Sequence, residues 1–171
     1  MRPCPLGTGS RRRRITVSGN ASQPMTPGIQ TIAQITDSHL LADENALLHG
    51  RHPDRSLERV LASVRSIKPD LVVATGDLTE EGDVSAYTRL GRILSGLDAP
   101  VACLPGNHDD GDTMRSRLLA DGIDMPGTVA LGDWRIILLD STLPGRPEGR
   151  LGAGRLASLD WHLHDTGRHP K

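Results

Sequence analysis

The sequence predicts an α/β protein with a parallel sheet at its centre, and three observations carry that expectation. Apolar runs of strand length recur at Thr31 to Thr36, Leu71 to Thr75 and Pro100 to Leu104. Between them lie two stretches with apolar residues three and four apart, the spacing of a helix buried on one face. Each apolar run stops at a polar cluster: Asp37-Ser38-His39, Gly76-Asp77 and Gly106-Asn107-His108-Asp109. Parallel strands require crossovers of a dozen residues or more, which the helices supply. Ligands gather at the carboxyl ends of the strands in such sheets, so three polar tips at one rim make a candidate site.

Taken in order, residues 1–28 are rich in Pro, Gly, Ser and Arg and are expected to form a disordered leader, with a single domain over 29–171. The first strand should run from about Ile29 to Thr36. The irregular segment Leu40 to Pro53 is expected to lie over the rim as a loop. Asp54 is the expected cap of a helix burying Leu57, Val60, Leu61, Val64 and Ile67, and Lys68-Pro69-Asp70 should end it. Leu71 to Thr75 follows as the central strand, apolar on both faces and therefore covered on both.

The polar stretch Leu78 to Asp83 leads to a second helix, Val84 to Leu97, with Leu90, Ile93, Leu94 and Leu97 inward. Ala99-Pro100 turns the chain into the third strand. A short helix over Thr113 to Leu119, capped by Asp112, should come next. Gly127 to Leu131 and Trp134 to Leu139, joined at Gly132-Asp133, form a hairpin signal that would make the sheet mixed. A loop from Ser141 to Arg150 then precedes a last helix built on Ala153, Leu156, Leu159 and Leu163.

The 171 residues suit one domain with a real core. With no Phe, two Trp and one Tyr, that core must be built from Leu, Val, Ile and Ala, with Trp134 packed and Trp161 partly exposed. The 20 basic and 21 acidic residues nearly cancel, so no global field favours nucleic acid or a membrane surface. No stretch reaches the length of a membrane span, and the arginines from Arg11 to Arg14 are not followed by the apolar segment of an export signal. A cytoplasmic location is the default expectation, and the oligomeric state is left open. Cys4 and Cys103 are too few for a disulfide framework, and Cys103 inside an apolar run reads as a small buried hydrophobe.

The rim chemistry points to metal ions. Asp37 and His39 are two residues apart, so on a strand continuing into the loop they would face one side. Carboxylate and imidazole together suit divalent Mn, Fe or Zn. Two cations about 3.5 to 4 Å apart repel, and a shared carboxylate offsets the repulsion while fixing their spacing. Asp77, on the middle strand, is placed to be that bridge. Asn107 can offer an oxygen to the second ion without adding charge, which leaves His108 free to contact phosphate or to protonate a leaving oxygen. Asp140 either supports the site or forms a turn, and His49 and His52 either meet substrate or are solvated.

Asp37-x-His39, Gly76-Asp77 and Gly106-Asn107-His108-Asp109 together resemble the calcineurin-like metallophosphoesterase superfamily. The fuller wording, Gln34 to Leu40 with Ala74 to Thr79 and Leu104 to Asp109, is similar to its bacterial cyclic-AMP phosphodiesterase branch. The resemblance implies a four-layer fold of two mixed sheets packed face to face with helices outside, of which this chain would be the N-terminal half: β-α-β-α-β, a hairpin and a C-terminal helix. It implies Asp37 and His39 as ligands of the first ion, Asp77 as the bridge, Asn107 as a ligand of the second, and His108 as the catalytic histidine off the metals. The implied cofactors are two divalent ions, Mn, Fe or Zn. The implied reaction is hydrolysis of a phosphoester, above all a 3',5'-cyclic nucleotide, with other phosphoesters as the alternative substrates.

Three further histidines belong to the family pattern, one after a following strand and two in a Gly-His-x-His motif, and the sequence stops before both. The domain over 29–171 is therefore expected to be incomplete, the second ion weakly held, and a non-catalytic chain with a partial metal site is the competing expectation. His162, His164 and His169 are not expected to stand in for the missing ligands, the first two lying two apart on a helix and so on different faces.

Overall fold

A computed structural model describes residues 29–164, so the expected leader over 1–28 and His169 lie outside the described residues. Strands β1 (Ile32–Thr36), β2 (Leu71–Thr75) and β3 (Val101–Cys103) form a parallel sheet in that order. Helices α1 (Pro53–Ile67) and α2 (Val84–Ser95) make the two crossovers. Register pairs Thr36 with Thr75 and Ala74 with Cys103, so the three strands finish at nearly the same level. That common finish brings Asp37, Asp77 and the 104–109 loop to one rim.

Alternation along the strands sorts the core into two sides. Val72, Ala74, Val101 and Cys103 face a cluster built with Leu57, Leu61 and Val64 of α1, Leu90 and Leu94 of α2, and Met114 and Leu118 of α3 (Gly111–Ala120). Leu71, Val73 and Ala102 face the other way, against Val129, Leu131 and Leu138. The central strand is thus covered on both faces, as its unbroken apolar run requires.

The hairpin forms from β4 (Thr128–Leu131) and β5 (Trp134–Ile137), but it does not join the first sheet. The expectation of one mixed sheet is corrected to a parallel sheet and a separate antiparallel pair stacked on its second face. The free edge of β3 is occupied instead by the segment at Asp124, whose carbonyl accepts from the Cys103 N–H. Helix α4 (Ala153–His164) closes the described chain and has no buried residue.

Caps and faces shift by small steps from expectation. The first helix begins at Pro53, which fits the first helical position because its missing N–H would be unpaired there in any case. Asp54 therefore sits inside the first turn, ion-paired with Arg89 at 2.5 Å, rather than capping. Asp110, not Asp112, caps α3, its side chain accepting from the Thr113 N–H. Val60 and Ile67 are about half exposed, because the buried stripe of α1 narrows to Leu57, Leu61 and Val64. Trp134 is half exposed on the hairpin rather than packed.

Candidate metal centre

The site begins with two departures from regular backbone. β1 stops at Thr36, and Asp37 and His39 both take left-handed conformations with φ of 54° and 46°. Their shared direction is therefore the product of a tight, kinked segment and not of an extended strand, which corrects the expected geometry while keeping both residues at the rim. Main-chain bonds hold the kink: the His39 N–H donates to the Asp77 carbonyl and the Leu40 N–H to the Leu78 carbonyl. Left-handed backbone strains residues other than glycine, and strain of this kind clusters at functional sites.

Glycines permit the strand ends to close on one another. A Cβ on Gly76 would stand 2.6 Å from Oδ1 of Asp37, and Gly76 itself has a φ of 72°. A Cβ on Gly106 would collide with the Asp77 side chain and with the Gly76 backbone. Both positions need a bare backbone for the carboxylates to approach.

The result is a close group of donors. One ligand atom from each of Asp37, His39 and Asp77 lies within 4.8 Å of the others. His39 Nε2 and Asp77 Oδ2 are 4.0 Å apart, too far for a hydrogen bond. Two donors about 2.0 to 2.2 Å from one ion can stand that far apart, so the separation fits a shared cation. Two carboxylates and an imidazole are a donor set suited to Mn, Fe or Zn. The Thr36 hydroxyl, donating to Asp37, holds that carboxyl below the usual carboxylate range, helped by the Asp77 N–H and His39 and opposed by partial burial.

Asp77 also reaches the third strand end. Its Oδ1 accepts the His108 backbone N–H at 2.9 Å, which draws the 106–108 loop against the carboxylate. The two oxygens of Asp77 thus address opposite sides, Oδ2 toward His39 and Oδ1 toward the loop bearing Asn107. Asn107 is exposed and lines a cleft of about 260 Å³ with Gly76, Leu104, Ser141 and Glu148. His108 sits over the rim, its ring 5.4 Å from that of His39 and nearly perpendicular to it. Its Nδ1 bonds the Glu80 carbonyl at 2.9 Å, which raises the imidazole pKa, with the carboxylates of Asp77, Glu80 and Asp109 adding to the effect.

Two residues organise this rim to which the sequence assigned no role, Asp109 within the third polar cluster and Glu80 outside all three. Asp109 accepts five hydrogen bonds: the N–H groups of Leu78 and Gly106 on Oδ2, and the Thr79 N–H, Thr79 hydroxyl and Tyr87 hydroxyl on Oδ1. It locks the loops after β2 and β3 together. Tyr87 and Thr79 are fully buried, and burial pushes the Tyr87 phenol up, so it remains a neutral donor. Glu80 is the second, bonded through Oε2 to His39 Nδ1 at 2.7 Å and grouped with His39 and His108. Nothing in the local sequence marks it. Its position comes from the Leu40–Thr79 bridge that extends the β1–β2 pairing past the strand ends.

The remaining candidates stand apart. Asp140 accepts from the Thr142 N–H and hydroxyl and pairs with Arg155, so it forms a turn and anchors α4. His49, His52, His162 and His164 belong to neither group of clustered donors among the described residues. Cys103 is fully buried, and desolvation pushes its thiol up to about 12, the state of an inert core residue.

Known proteins resemble this chain over most of its length. Residues 30–161 match the family described as Calcineurin-like phosphoesterase. The chain is 37% identical over 154 residues to the 3',5'-cyclic adenosine monophosphate phosphodiesterase CpdA of Pseudomonas aeruginosa, covering 88% of this chain and 56% of that one. It is 39% identical over 138 residues to the protein of the same name from Escherichia coli K12, covering 79% of this chain and 50% of that one. A probable cyclic nucleotide phosphodiesterase of Synechococcus is 36% identical over 138 residues, or 78% of this chain and 52% of the other. The chain spans about half the length of the curated relatives it matches.

Proposed function

The chain belongs to the calcineurin-like phosphoesterase family, and from that premise we propose that the protein hydrolyses phosphoesters with divalent metal ions, its substrate being a 3',5'-cyclic nucleotide. The observation that carries the reading is the convergence of Asp37, His39 and Asp77 within 4.8 Å at the ends of two neighbouring parallel strands. Asp37 and His39 would hold the first ion, Asp77 would be shared, and Asn107 would serve the second. Mn, Fe and Zn all suit these donors. Bound there, the ions supply Lewis acidity to a phosphoryl oxygen and activate water at neutral pH.

The chain's own residues do the rest. Asp77 would be the carboxylate shared by the two ions, its Oδ2 turned toward His39 and its Oδ1 bonded to the His108 N–H. His108 would give a proton to the departing ribose oxygen, and the bond from its ring to the Glu80 carbonyl, which raises its pKa, favours the protonated form. Gly76 and Gly106 leave the backbone bare where the Asp37 and Asp77 carboxylates close on it. Asp77 and Asn107 would be the donors to the second ion among the described residues. Near-neutral charge argues against a nucleic-acid substrate. Among the described residues no helix is long and apolar enough to cross a membrane, and we assign a cytoplasmic location.

Cyclic AMP is preferred to other phosphoesters because the relatives carry that activity in their names. The test compares cyclic AMP, bis-p-nitrophenyl phosphate and a phosphomonoester with Mn present. Cleavage of the first two, lost in Asp77→Asn, is the expected result. A monoester-only profile would overturn the cyclic-nucleotide substrate, and full activity in Asp77→Asn would overturn the bridge.

A further inference from the structure

We propose that Glu80 is a positioning residue that sets both site histidines, through its side chain for His39 and through its main chain for His108, so that each presents Nε2 to the rim. The proposal rests on the metal-holding reading of Asp37, His39 and Asp77 for its consequence, but its geometry stands by itself.

His39 Nδ1 lies 2.7 Å from Glu80 Oε2. An ionised carboxylate only accepts, so a neutral His39 must carry its proton on Nδ1. Nε2 is then left with a lone pair, and it is Nε2 that lies 4.0 Å from Asp77 Oδ2. A histidine held in this way by a carboxylate on its far nitrogen is the arrangement that orients an imidazole toward a metal and increases its basicity. His108 is fixed by a parallel argument. Its Nδ1 is 2.9 Å from the Glu80 carbonyl oxygen, which cannot donate, so Nδ1 carries the proton there as well. The Glu80 carboxylate is farther from the same nitrogen, 3.7 Å through Oε1, beyond hydrogen-bond distance.

One residue thus orients two rings standing edge to face 5.4 Å apart. Glu80 is itself held by its N–H, which donates to the Leu40 carbonyl at 3.1 Å, just beyond the kinked His39. The Glu80 main chain, and with it the contact to His108, is therefore referred back to the β1–β2 pairing, and His39 is reached from that fixed point through the Glu80 side chain.

Side chain and main chain play different roles, so a single substitution separates them. In the metal-free, 15N-labelled chain at a pH above the usual histidine range, long-range 1H–15N correlation reads the protonated nitrogen of each imidazole. The wild type should show Nδ1–H for both. Glu80→Ala should release His39 into a mixture of tautomers while leaving His108 unchanged, a pattern that general loosening would not give. Glu80→Gln, whose amide oxygen still accepts, should keep the His39 tautomer. Calorimetric titration with Mn alone should show binding weakened about 10- to 100-fold in Glu80→Ala and less in Glu80→Gln. An Nε2–H tautomer for wild-type His39, or a Glu80→Ala chain with unchanged His39 shifts or unchanged Mn affinity, would overturn the proposal. A wild-type chain that binds no Mn would overturn the metal site under Proposed function, and the tautomer comparison would still decide the role of Glu80.

Discussion

The parallel sheet with its helices and the hairpin with α4 are both made of short apolar segments, yet they are held very differently. On the helix side of the sheet, Leu40, Leu61, Val72, Ala74, Tyr87, Leu90, Leu94, Cys103 and Met114 are almost wholly excluded from water. On the far side, Val129, Leu131 and Leu138 retain slight exposure, and Trp134, Leu156, Trp161 and Leu163 are about half exposed or more. The candidate metal centre grows from the first region. Its strand ends are brought level by the register of β1, β2 and β3, with buried side chains on both faces of the sheet. The second region covers one of those faces and, through the loop before α4, forms one wall of the cleft beside Asn107.

The largest effect expected from that contrast is on core truncation. Leu90→Ala should cost about 2 to 5 kcal/mol, the lost transfer free energy plus a cavity. Leu156→Ala, about half exposed on α4, should stay within about 0.5 kcal/mol. Urea unfolding of the two variants measures the difference directly. Equal losses would mean that α4 packs as tightly as α2 and would erase the distinction.

Next in size is the removal of the Asp109 charge. Asp109→Asn keeps one carbonyl oxygen but turns the other position into a donor, facing the N–H groups of Leu78 and Gly106. Each orphaned donor costs about 1 to 3 kcal/mol when buried, and hydration at the rim offsets part of that, so a net loss of about 2 kcal/mol is expected in the same unfolding measurement. Mn affinity should fall as well, because Asp109 ties together the loops carrying Asp77 and Asn107. The corresponding carboxylate of the second region is Asp140, paired with Arg155 at partial exposure. Breaking it by Arg155→Ala should cost no more than about 1 kcal/mol.

The same contrast explains what the sequence disclosed. β2 is legible to the residue because a strand buried on both faces must be apolar throughout, and its abrupt Gly76-Asp77 end marks the rim. The hairpin was legible from Gly132-Asp133, but not its separation from the parallel sheet, since local pattern does not say which edge a strand will meet. Asp37 and His39 were found by residue type and spacing, while their left-handed backbone was not, because it is imposed by bonds to residues forty positions away. Glu80 and Asp109 act through long-range hydrogen bonds in stretches whose polar composition is ordinary for turns. The cap of α3 falls on Asp110 and not on Asp112, which lies in the first turn, because both aspartates stand where the helix starts and local pattern does not choose between them.

The smallest effect expected concerns that cap, and its sign follows from the direction of the shift. Hydrogen bonding from Thr113, through its side chain and its N–H, holds the Asp110 carboxyl below the usual carboxylate range. A carboxylate lowered on folding contributes stability that is fully present above the unfolded value and is lost as pH falls through the folded one. Asp110→Asn still accepts at the cap but does not titrate. Wild type should therefore exceed Asp110→Asn in stability at neutral pH by a small margin, from charge at the helix N-terminus, and that margin should vanish as pH drops below the usual carboxylate range. Melting temperatures of the two metal-free chains between neutral and acid pH would register it. Because Asp110 follows Asp109 and its N–H donates to the Tyr87 hydroxyl, a margin that persisted in acid would place the stabilisation in the rim network and not in the cap charge.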